Sequence, residues 1–234
     1  MERNFHSELI RIRENLVSMA EKAMHNTRRA MEALERRDAS IARQVIEGDP
    51  EIDDLEIEID RAAVRYMTLY QPVSGDMRLI AVAIKASHDI ERIGDEASSI
   101  AKRVGRILNS EAEGKAVPEN LISIPQAALL AVDMLRESID AFVEEDVEKC
   151  IGIIRQDRQV DSMNRSNFQG FTSMLTEGSA NTEALLELVF ISKSIERIAD
   201  HATNIAEETI YLLSGREVRH SGIKQGRSER ARDE

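Results

Sequence analysis

Apolar residues return at alternating steps of four and three along most of the chain. Phe5, Leu9, Ile12, Leu16, Met19 and Ala23 form one such seam. It predicts a long helix, packed nearly parallel to its neighbours and running to about Arg37. Asp38 can then cap a second helix that carries Ile41, Val45, Ile52, Leu55, Ile59 and Ala62. Gly48-Asp49-Pro50 interrupts it: Pro50 either kinks the helix or opens a fresh one with Asp49 as N-cap. Gln71-Pro72-Val73-Ser74-Gly75-Asp76 is a clear break. A third helix is expected from there to about Asn109, with its seam on Ile80, Ala83, Ser87, Ile90, Gly94, Ala97, Ala101, Val104 and Leu108. Small residues on this seam allow close helix approach, at a cost of about 1 kcal/mol for Gly94 relative to Ala.

Residues 110–119 read as a polar linker reaching Pro118. Three further helices repeat the plan over roughly 120–144, 146–176 and 180–214. The last has Leu188, Ser192, Ile195, Ala199, Ala202, Ala206, Thr209 and Leu213 at the same spacing. Each half is thus expected to be an elongated antiparallel three-helix bundle, the first over 1–109 and the second over 120–214. From Gly215 onward the periodicity lapses. Residues 216–234 carry a net charge of +2, and 215–234 are expected to form a disordered tail.

The halves are copies. Residues 87–101 and 192–206 share nine of fifteen identities at a constant offset of 105, where unrelated segments would share about one. The conserved positions within this chain include the apolar ones, which packing explains. They also include Glu91/Asp95 and Glu196/Asp200, which packing does not explain.

Composition narrows the class. With 11 Gly, 4 Pro, no Trp and 3% aromatic residues, the chain suits long amphipathic helices and poorly suits a turn-rich sandwich or barrel. A net charge of −12 argues against a nucleic-acid partner, whose phosphates demand basic surfaces. Cys150 stands alone, so no internal disulfide framework exists, and its helical setting suits a small apolar residue rather than a nucleophile. The N-terminus lacks an apolar run with a cleavage site, and no stretch approaches eighteen uncharged apolar residues. A soluble, cytoplasmic protein is expected, with membrane association only through partners.

The acidic pairs carry the candidate chemistry. Glu91 and Asp95 project from one face of their helix, one position after the seam residues Ile90 and Gly94, and Glu196 and Asp200 repeat this. Asp49 and Asp53 match Asp157 and Asp161 at an offset of 108. Like charges at this spacing destabilise a helix by about 0.2–0.5 kcal/mol per pair. Three readings account for them: a solvated acidic face, neutralisation by Arg92 and Arg197, or a bound cation taking four to six oxygens from two helices. His88 and His201 adjoin the motifs; each could join a metal site, though a surface histidine is the more common fate. The chain has no Glu-x-x-His tetrad of the di-iron type, no phosphate loop and no nucleophile elbow, and no catalytic residue is assigned. A metal-dependent carboxylate enzyme on a helical bundle is the alternative reading of the same acids.

Several segments together resemble the PhoU family, the accessory and regulatory proteins of high-affinity phosphate transport. They are Phe5…Glu8-Leu9, Arg43-Gln44-Val45-Ile46-Glu47-Gly48-Asp49, Ile59-Asp60, Arg65…Gln71-Pro72, Asp76-Met77-Arg78-Leu79, Ile90-Glu91-Arg92-Ile93-Gly94-Asp95 and Ser194-Ile195-Glu196-Arg197-Ile198-Ala199-Asp200. The resemblance spans about residues 5–214. It implies an all-α fold of two tandem three-helix bundles related by a pseudo-twofold axis. It implies metal binding at Glu91/Asp95 and Glu196/Asp200 with Asp49/Asp53 and Asp157/Asp161 as partners, the ion being divalent or trivalent (Mg, Mn, Fe or Zn). It implies a non-enzymatic negative regulator, often a homodimer. Such a regulator links the phosphate ABC transporter's ATPase to a membrane sensor histidine kinase and represses the phosphate regulon when phosphate is plentiful. Two departures stand out: Pro50 lies inside the first acidic motif, where it can swing Asp49 away from Asp53, and Ala199 replaces the Gly94 of the first signature.

Overall fold

A computed structural model describes residues 2–113, 118, 120–177 and 181–215. Its helices are α1 (Glu2–Arg36), α2 (Ala39–Gly48), α3 (Pro50–Tyr70), α4 (Ser74–Ala112), α5 (Ile124–Glu144), α6 (Val147–Glu177) and α7 (Thr182–Ser214). No strand occurs among the described residues. Of the tail expected over 215–234 all but Gly215 lies outside them, as do five of the ten linker residues and the Phe5 side chain.

Helix boundaries follow local chemistry. The Asp38 carboxylate accepts from the backbone N–H of Ser40 (2.8 Å) and Ile41 (3.3 Å), which starts α2 as its N-cap. Asn181 does the same for α7 through Glu183 N–H. Asp49 is different. Its backbone is helical (φ −57°, ψ −44°) and its side chain makes no capping bond, so α2 runs into α3 through a proline junction. The carboxylate that the N-cap alternative would have committed to the backbone points elsewhere. α4 continues to Ala112, three residues past the expected end.

The seams are buried. Leu9, Ile12, Leu16, Met19 and Ala23 of α1 face the core, as do Ile80 through Val104 of the α4 seam and Leu188 through Thr209 of the α7 seam. α4 also buries Ile93, Ile100 and Ile107, and α7 buries Ile191, Ile198 and Ile205. This second burial arises because α4 is packed on by α1, α2, α3 and α7 alike.

α1, α2–α3 and α4 form one bundle, and α5, α6 and α7 the other. They join through like helices, α4 against α7 and α1 against α5, the pairing that a pseudo-twofold axis requires. Polar contacts fix the direction of the α4–α7 junction. Lys85, Asp89, Glu96 and Arg103 rise along α4, while their partners Glu208, His201, Arg197 and Glu187 descend along α7. The two helices are therefore antiparallel. Among the described residues, no helix is long and apolar enough to cross a membrane.

Candidate metal centre

In the first bundle the proline junction and the α4 seam bring the acids together. Asp49 sits where α2 meets α3, over Gly94 of α4. A Cβ on Gly94 would lie 3.4 Å from Asp49 Oδ1 and 2.9 Å from Ile52 Cδ1, so the missing side chain makes room for both. Burial raises the Asp49 pKa. The Ser98 hydroxyl opposes this, the charges of Asp53 and Asp95 add to it, and Lys102 opposes it. Asp49 therefore still feels Asp53 despite Pro50, and it also lies within electrostatic reach of Asp95 in the α4 signature.

Glu91 is the most perturbed member. Its carboxyl is pushed up to about 7, first by burial and then by Asp95, with Arg92 opposing and Glu56 adding. Its Oε2 is buried and accepts no hydrogen bond. Arg92 lies beside the pair, its Nε 3.3 Å from Glu91 Oε2 and its Nη1 3.1 Å from Asp95 Oδ2. The neutralising role foreseen for Arg92 is thus present, from a side chain that is half exposed.

Two further residues stand at this site: Glu56, which the sequence reading did not single out, and His88, which it set aside as a surface residue. Glu56, on α3, and His88, on α4, stand with Glu91 so that one ligand-type atom from each lies within 4.8 Å of the others. His88 Nδ1 is 3.3 Å from Glu56 Oε1. The signal was available: Glu56 is seven residues after Asp49 and three after Asp53, and His88 is three before Glu91. Each therefore shares a helix face with the motif beside it.

The second bundle keeps the framework and changes these two positions. At the same offsets Glu56 becomes Asn164 and His88 becomes Lys193. Lys193 donates to Glu196, so an ammonium sits beside the carboxylate whose counterpart, Glu91, has imidazole nearby. Asp157 is buried on α6, which packs on α7 as α3 packs on α4. Arg197 feels the charges of Glu196 and Asp200, yet its hydrogen bond goes across the junction to Glu96 at 2.9 Å. The expectation that Arg197 serves its own pair is corrected: Lys193 holds Glu196, and Arg197 links the bundles. His201 is likewise not a plain surface residue. Its Nδ1 lies 2.8 Å from the buried Asp89, which also accepts from Asn204 at 3.1 Å.

Acidic motifs on neighbouring helices in each of two bundles that meet through like helices are a specific arrangement to compare with known proteins. The model of the PhoU domain matches residues 16–104 and 124–209, one match in each bundle. The chain belongs to the PhoU family. The phosphate-specific transport system accessory protein PhoU homolog of Clostridium acetobutylicum is 36% identical over 214 residues, 91% of this chain and 92% of its own. The crystal structure of PhoU from Pseudomonas aeruginosa has a TM-score of 0.84 at 33% identity, covering 91% of this chain and 100% of that one. The phosphate transport system regulatory protein PhoU of Streptococcus pneumoniae gives 0.83 at 25% identity, covering 92% and 99%. PhoU proteins are accessory and regulatory proteins rather than enzymes, so the carboxylate-enzyme alternative falls away.

Proposed function

We propose that this protein is a cytoplasmic, homodimeric regulator of phosphate uptake and of the phosphate-starvation regulon. It couples the phosphate ABC transporter's ATPase to a sensor histidine kinase and represses when phosphate is plentiful. Its acidic motifs bind divalent or trivalent metal ions, through Asp49, Asp53, Glu91 and Asp95 in the first bundle and Asp157, Asp161, Glu196 and Asp200 in the second. The regulatory reading is supported by family membership over both bundles and by relatives that are named transport accessory proteins.

The metal reading draws on one observation above all: a largely buried Glu91 carboxylate whose nearby cation is the half-exposed Arg92, with Glu56 and His88 offering ligand-type atoms within 4.8 Å. A cation there would favour the charged forms of Glu91 and Asp49, which burial and neighbouring carboxylates disfavour. Carboxylate oxygens with one imidazole suit Mn, Fe or Zn, and carboxylates alone suit Mg. The first bundle offers the better site, because Glu56 and His88 stand beside Glu91 there, where the second bundle has Asn164 and Lys193.

The decisive experiment removes the gene and measures starvation-regulon expression in rich phosphate. Constitutive expression is expected, restored to repression by the intact gene. Normal repression in the deletion strain overturns the regulatory reading. Metal binding is tested separately, by metal analysis and calorimetry on purified protein titrated with Mn²⁺, wild type against Glu91→Ala/Asp95→Ala. Identical binding by the two proteins overturns the assignment of the first site.

A further inference from the structure

The duplication supplies its own control for what helix packing demands, and one groove fails that control. Between α6 and α7 lies a cleft of about 410 Å³ lined by Arg165, Phe168, Val189, Phe190 and Lys193, with Asn164 and Gln169. Phe168 and Phe190 are 57% and 49% exposed, in a chain with only five phenylalanines. At the corresponding positions the first bundle has Asp60 and Lys85. The same helix pair therefore packs without aromatics there, and burying them against the fold is not their purpose.

The charges around the cleft are equally distinctive. Although the protein carries −12, no carboxylate lines this groove, and its charged groups are Arg165 and Lys193. Arg165 has no ion-pair partner among the described residues. Arg103 of α4 stacks its guanidinium 4.4 Å from the Phe190 ring centroid while holding Glu187 at 2.8 Å, which keeps that ring fixed and presented. Rigid aromatics beside an uncommitted arginine are the composition of an interface centre.

We infer that the α6–α7 groove is a docking surface for an acidic segment of a partner protein. The segment seats an apolar side chain between Phe168 and Phe190 and sets a carboxylate against Arg165. Charge complementarity selects this occupant: no described carboxylate lines the groove and Arg165 is uncommitted, so an acidic apolar segment gains from both the rings and that charge, whereas a basic one is disfavoured. The identity of the partner rests on the adaptor reading above, which supplies the transport ATPase and the sensor kinase as probes.

The test titrates the purified ATPase and the cytoplasmic portion of the sensor kinase against immobilised full-length protein. Three variants are compared with wild type: Phe168→Ala/Phe190→Ala, Arg165→Glu, and Leu69→Ala, a control in an exposed residue of α3. The groove variants should weaken binding of one probe at least about tenfold, with Leu69→Ala unchanged. Thermal melting checks folding, and Arg165→Glu, a surface change, keeps the test open should the aromatic variant misfold. Wild-type protein that binds neither probe sinks the adaptor role and the groove's assigned occupant together. Wild-type binding that both groove variants retain sinks the groove alone. If the variants instead convert a wild-type dimer into monomers, the occupant is a second copy of this chain and the acidic partner is overturned.

Discussion

The Asp49 carboxylate rests over Gly94, with Oδ1 3.4 Å from where a Gly94 side chain would begin. Replacing Gly94 by Ala sets two effects against each other. The helix gains about 1 kcal/mol from a better helix former. The new methyl meets Ile52 Cδ1 at 2.9 Å and crowds Asp49. Ile52 Cδ1 is the end of a side chain that can turn, so net stability should stay within about 1 kcal/mol of wild type by chemical denaturation. Metal affinity at the first site should fall, read by Mn²⁺ calorimetry. Unchanged affinity would show that Asp49 is not a ligand.

Glu91 sets a pH dependence. Its folded pKa of about 7 lies above the ordinary 4.5, so between these values the folded protein binds a proton that the unfolded chain does not. Its contribution is intact below about 4.5 and is lost as pH rises through 7. Metal-free protein should therefore lose stability from this group between pH 4.5 and 7. Glu91→Gln should flatten that slope and be relatively more stable than wild type at pH 8 than at pH 5. Denaturation in chelator at both pH values measures it, and parallel profiles would count against the perturbed carboxyl.

Asp89 should be a stability residue of the junction. It is buried and accepts from His201 and Asn204 of the other bundle. Asp89→Ala strands both partners and should cost about 1–3 kcal/mol. That corresponds to roughly 2–4 °C in melting temperature per kcal/mol for a chain of this size.

Sequence reading captured the helices because their seams repeat over many turns, and it singled out the eight acids because the duplication displays each twice. What it missed was held in single copies. Glu56 and His88 have no matching residue in the second bundle, so repetition could not flag them. The target of Arg197 was out of reach for another reason. Its partner Glu96 belongs to the other bundle, and no helical spacing reports how two bundles are placed. The Asp49 backbone was ambiguous because a proline suits both a first helical turn and a kink.

The difference between the two sites can be reversed. Asn164→Glu/Lys193→His gives the second bundle the ligand types of the first and removes its internal ammonium. Affinity of the weaker Mn²⁺ phase should rise at least about tenfold, since charge count tunes such sites. A double variant with wild-type binding would mean that Lys193 does not hold the second site back.

The junction of α4 with α7 and of α1 with α5 has the form of an isologous contact, each repeat offering its neighbour the patch it receives. A half-length ancestor could have made the same contact as a pair of identical subunits, both bound to evolve in step. Fusion into one polypeptide ended that constraint. The two copies now differ: one has an imidazole beside its acids, the other a lysine and, a turn away, an aromatic cleft.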